Sequence, residues 1–86
     1  MIATRLRPQD CLSACFVDLL AVARTLRPWE GEARQSWTDA SRDVLEAVPD
    51  ADQRVAWAVQ LASAFAHTMP GVPLYLVVGM LLGSDR

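Results

Sequence analysis

Five prolines, at positions 8, 28, 49, 70 and 73, cut the chain into stretches that each suit a helix. The proline ring fixes φ and removes an amide donor, so it is accepted at a helix start and rejected from the interior. Pro8 can open a helix and Pro28 closes it. Pro49 separates two further helical patterns, Pro70 with Gly71 ends the third, and Pro73 can open a fourth. The expected fold is all-α: a small antiparallel bundle of three amphipathic helices plus a short apolar C-terminal helix. The expected spans are about 8–27, 31–48, 51–69 and 73–82, in one helical domain over residues 1–86.

Apolar residues recur at the three-four spacing of a helix face within these limits. In the first segment the stripe is Leu12, Cys15, Phe16, Leu19, Ala23 and Leu26, with Asp10 and Arg27 placed to suit the helix dipole. In the second it is Ala33, Trp37, Ala40, Val44 and Val48, and Arg42 and Glu46 stand one turn apart as a possible pair. Asp50 is a good N-cap for the third segment, with Gln53 in place for a capping box. There Val55, Ala58, Val59, Leu61, Ala62, Phe65, Ala66 and Met69 form a broad apolar face, and small alanines predict close packing at the centre of the domain.

The fourth segment has no polar face. Leu74, Val77, Val78 and Leu81 form one stripe, and Leu76, Gly79, Met80 and Gly83 lie opposite. Val77, Val78 and Tyr75 suit a strand, but the chain has no second strand candidate for pairing, so helix is expected. A helix with two apolar faces needs two partners. One is the domain's own core, and the other is expected to be a second copy of the chain or a different protein.

Composition bears on the same point. An 86-residue chain buries only about 60–65% of the surface that its unfolded form exposes. Two cysteines cannot supply a multi-bridge disulfide framework, which leaves the 52% hydrophobic content as the source of stability. All eight basic residues are arginine, which with the abundant alanine and valine points to a high-GC bacterial or phage source. Residues 1–28 carry four arginines and two aspartates, and residues 29–52 carry seven carboxylates and two arginines. This acidic middle argues against sequence-independent DNA binding, which needs several phosphate-neutralising cations. The apolar run Val72 to Leu82 is too short to cross a bilayer, no signal-peptide pattern is visible, and a cytoplasmic location is expected.

Candidate chemistry is sparse. Cys11 and Cys15, one turn apart, are expected to be small buried hydrophobes; a disulfide at that helical spacing is geometrically poor, and one histidine cannot complete a metal site with them. His67 falls on a polar stripe with Gln60 and Ser63 and is expected at the surface. Asp39, Asp43 and Glu46 share one helix with Arg42 and no calcium-type glycine loop, so a solvated acidic face is expected rather than a cation site. No phosphate loop or nucleophile elbow is present, and neither catalytic residues nor a cofactor or metal are expected. Trp37 reads as core, Trp29 lies in the loop after Pro28, and Trp57 on a helix flank is either a lid over the core or an anchor for a partner.

The expected function is a non-enzymatic protein–protein interaction module, a small regulator or inhibitor that occupies a partner surface. One concrete form is a phage-encoded inhibitor of a host nucleic-acid-binding defence complex, with Asp39, Asp43 and Glu46 competing for a basic surface. Trp57, Leu76, Gly79 and Met80 are the expected residues of partner binding or self-association. The alternative is a small dimeric helix-turn-helix DNA-binding regulator turning at Pro49, although its second helix offers only Arg54 near its start.

Overall fold

The computed structural model describes residues 8–83, with side chains from residue 11 onward, so the dipole role expected of Asp10 falls outside the described side chains. The fold is all-α. Among the described residues it comprises α1 (Pro8–Thr25), α2 (Gly31–Ala47), α3 (Ala51–Phe65), a 3-10 turn (Ala66–Thr68) and α4 (Leu74–Leu82), with no strand.

Each boundary has a local cause. Past the end of α1, the Arg27 amide donates to Glu30 Oε1 at 2.9 Å and the Glu30 amide to the Arg27 carbonyl at 3.1 Å, which closes a tight corner into α2. At the next corner Asp50 caps α3 as expected, its Oδ1 accepting from the Asp52 amide at 3.0 Å. Gln53 has no part in the bonds found there. The third helix stops short of residue 69. Pro70 disfavours helical geometry at Met69, and the last turn tightens so that the Met69 amide reaches the Ala66 carbonyl at 2.9 Å.

The C-terminal segment is a helix, which removes the strand alternative. Pro73 is its N-cap, extended at ψ 144, and not its first residue. Gly83 ends it in the left-handed region at φ 65, where its amide reaches the Gly79 and Met80 carbonyls at 3.0 and 3.3 Å. A side chain there would be strained, and its Cβ would also meet the Arg42 guanidinium at 3.3 Å.

The core draws Phe16, Leu19, Ala23 and Leu26 from α1, Trp37 and Leu45 from α2, Ala58, Leu61, Ala62 and Phe65 from α3, and Val77 and Leu81 from α4. α3 packs against all three other helices, with Ala58 and Ala62 fully buried at its inner face. The central position expected for it holds.

The buried faces of α1, α2 and α3 differ from the sequence expectation, α3 in leaving Val55 and Val59 exposed. α2 turns Trp37, Thr38, Ser41 and Leu45 inward, with Val48 buried just past its end, and leaves Ala33 and Ala40 exposed and Val44 half-buried. Leu45 is the largest aliphatic side chain on α2 and so captures the inner face, and the small Thr38 and Ser41 follow it inward. On α1 both cysteines are free and exposed, correcting their expected burial. The face covered by α2 and α3 runs through Phe16, Leu19 and Ala23, and Leu12 is only half-buried at its margin.

The rotation of α2 leaves a mark. Thr38 satisfies its hydroxyl on the Arg34 carbonyl at 2.9 Å, but the fully buried Ser41 hydroxyl has no hydrogen-bond partner. Burying an unpaired hydroxyl costs on the order of 1–3 kcal/mol, and alanine has the higher helix propensity. Ser41→Ala is therefore expected to stabilise the protein by about 1 kcal/mol, read as a higher urea midpoint at unchanged slope. A lower midpoint would show that the hydroxyl has a partner in solution.

Candidate interaction surfaces

The three tryptophans divide into three environments. Trp37 is buried, stacked on Phe65 with ring centroids 4.3 Å apart, and its Nε1 donates to the Leu19 carbonyl at 2.8 Å. Trp57 is half-buried and stacks on Phe16 at 4.4 Å, the geometry of a lid over the α1–α3 seam. Trp29 stands exposed on the corner between α1 and α2.

Asp39, Asp43 and Glu46 are all exposed and follow the three-four spacing along the outer side of α2. The Gln35 amide donates to Asp39 Oδ1 at 3.0 Å, leaving the carboxylate face solvated. Arg42 reaches the neighbourhood of Gly83 at the end of α4, away from the pairing expected with Glu46.

α4 presents a different surface. Val77 and Leu81 are buried, as expected of its inner stripe, but Leu74 is 42% exposed, Tyr75 73% and Leu76 52%. Three consecutive large apolar side chains therefore project from its first turn. Leu76 belongs to this outward patch, whereas Gly79 and Met80 are half-buried and Met80 packs against the core. No other part of the described chain comes within 4 Å of a Cβ built on Gly79. Leu74 shares its stripe with the buried Val77 and Leu81 yet faces outward, as does Tyr75, because an all-apolar run gives no contrast from which to phase the helix.

The residues considered for catalysis are dispersed. His67 is exposed at its edge, yet Nε2 lies 2.7 Å from the Leu26 carbonyl oxygen and Nδ1 3.0 Å from that of Ala64. The ring thus ties the segment after α3 to the end of α1. Among the described residues no group of three or more His, Cys, Asp or Glu side chains is placed to hold a metal ion. No described helix is long and apolar enough to cross a membrane.

Three arginines have roles that sequence reasoning missed. Arg54 folds back over the corner so that Nε donates to the Leu45 carbonyl at 3.0 Å and Nη2 to that of Val48 at 2.6 Å. It answers carbonyls that the end of α2 leaves open. Arg34 and Arg42 line a cavity of about 220 Å³ between α2, the end of α3 and α4. The i, i+8 spacing of these two was the available signal, hidden by the acidic residues around them. No protein-family model, curated protein or solved structure matches the chain.

Proposed function

We propose that this protein is a non-catalytic interaction module, a small antiparallel bundle that regulates or inhibits a partner by covering part of its surface. The observation that carries this reading is the run Leu74, Tyr75 and Leu76, exposed in sequence at the start of α4. Leu74 and Leu76 are already about half-covered and Tyr75 less so, so covering them adds roughly 1–2 kcal/mol each. That falls short of a stable complex, which needs a larger interface with further contributions. The acidic face of Asp39, Asp43 and Glu46 supplies charge complementary to a basic partner, which speeds encounter and selects against acidic surfaces. An inhibitor encoded by a phage, acting in the cytoplasm on a host nucleic-acid-binding complex, is the concrete form of this proposal.

The helix-turn-helix alternative is less well supported. Arg54, the cation nearest the start of its second helix, is engaged by the Leu45 and Val48 carbonyls.

Leu76→Glu and the triple reversal Asp39→Arg, Asp43→Arg, Glu46→Arg test the two surfaces. Both variants are expected to fold, since surface changes cost about 0.5 kcal/mol or less. Leu76→Glu is expected to abolish self-association or partner capture, read by light scattering and by affinity capture from host extract with mass spectrometry. The triple reversal is expected to lose a basic partner. An unchanged mass and an unchanged captured set for both variants would sink the proposal.

A further inference from the structure

The cavity beside α2 has the make-up of a ligand site. Arg34, Thr38 and Arg42 line one wall at successive turns of α2, and Phe65, Met69 and Met80 line the other. Among the described residues no carboxylate lines it, although the carboxylates on the outer face of the same helix are close in sequence.

Arg34 is the unusual member. It is half-buried, with its guanidinium carbon 5.8 Å from the centroid of the Phe65 ring. Nη1 donates to the Pro28 carbonyl at a long 3.3 Å, and Nε is shielded from solvent with no hydrogen-bond partner. The comparison with Arg54 is direct. The Nε and Nη2 groups of Arg54, the edge that grips a carboxylate side-on, both donate to main-chain carbonyls. The Nε of Arg34 has no such acceptor. Its neighbours do not provide one: the Thr38 hydroxyl donates to the Arg34 carbonyl, and the Gln35 side chain is turned to Asp39. That N–H is shielded from solvent, so a ligand in the cavity meets the outer N–H groups of Arg34 and those of Arg42, and an oxyanion is the group that answers two guanidinium groups best.

We propose that this cavity binds a small apolar carboxylate, with the acid group between Arg34 and Arg42 and the apolar body against Phe65, Met69 and Met80. The volume, about 220 Å³, is below the range of roughly 300–1,000 Å³ typical of drug-sized pockets, so the ligand is of amino-acid size. Methionine walls adapt to apolar shapes, which suits an aliphatic body. The site is independent of the α4 patch, so the domain carries a small-molecule site whether or not it binds a protein through Leu74, Tyr75 and Leu76.

N-acetyl-leucine and N-acetyl-leucinamide are matched probes that differ in the charge of the head group. Titrated into the full chain labelled with ¹³C at the methionine methyls, N-acetyl-leucine is expected to shift Met69 and Met80 saturably. The amide is expected to bind at least about tenfold more weakly, a difference of about 1.4 kcal/mol. Inorganic phosphate, which has the charge without the apolar body, is expected to bind more weakly than the acid. Arg42→Gln and Arg34→Gln are each expected to lower affinity for the acid about tenfold. If Arg34→Gln does not fold, Arg42→Gln and the acid–amide pair decide the matter. The proposal is overturned by the absence of a saturable shift, by equal binding of acid and amide, by phosphate binding as tightly as the acid, or by folded variants that bind like the parent.

Discussion

Trp37→Ala is expected to unfold the domain. The indole is buried between α1 and α3, lies flat on Phe65, and ties α2 to α1 through the bond from Nε1 to the Leu19 carbonyl. Truncating a buried tryptophan costs roughly 3–5 kcal/mol. A chain of this length holds only about 4–13 kcal/mol in total, and in the lower part of that range the loss takes most or all of it. Trp37→Phe separates the contributions. It keeps a ring against Phe65 and removes the hydrogen bond, and is expected to cost about 1–2 kcal/mol. Urea unfolding followed by far-ultraviolet circular dichroism measures both. A Trp37→Ala protein with a midpoint near the parent's would mean that this stack is not what joins α2 to the rest.

Arg54→Met is expected to lower stability by about 2 kcal/mol, although the residue is not deeply buried. A hydrogen bond to a charged donor contributes roughly 1.5–3 kcal/mol, and the half-exposed position reduces each of the two bonds below that. Methionine preserves the aliphatic stem, so the difference reports the fork. For a domain of this size the change corresponds to a melting temperature lower by about 8–16 °C. Arg54→Lys is expected to recover only part of the loss, because an ammonium cannot span the Leu45 and Val48 carbonyls as a planar fork does. Hydrogen exchange should quicken first at the end of α2. Stability within about 0.5 kcal/mol of the parent would leave the corner between α2 and α3 to Pro49 and the Asp50 cap alone.

The helices were legible because their ends are written in residues that act locally. Pro28, Pro70 and Gly83 mark boundaries through their own backbone chemistry, and Asp50 through its side-chain cap. The orientation of α2 was less so. Ala33 and Ala40 look apolar and Ser41 polar, but all are small, and side chains of that size go inward or outward as larger neighbours dictate. Leu45 decides the matter on α2, and its choice takes Ser41 inside. Cys15 misled for a related reason: it fits the α1 stripe by spacing but lies beyond the part that α2 and α3 cover.

The candidate surfaces were legible in part. The acidic face on α2 follows from periodicity. The packing of Met80 against the core, and the exposure of Leu74 and Tyr75, depend on where the helix meets its neighbours. The arginine-lined cavity needed three elements in space. Arg34 and Arg42 come from α2, Phe65 closes α3, Met69 lies in the following turn and Met80 belongs to α4. No local pattern joins them.

The flush inner face of α3 has a consequence for how such a chain changes over generations. With Ala58 and Ala62 fully enclosed, the gaps between helices are set by methyl groups, and a bulkier substitute there would wedge neighbouring helices apart. The outer sides of α1, α2 and α4 carry no such restriction. Their polarity and shape can drift separately from the scaffold beneath while the interior stays almost fixed.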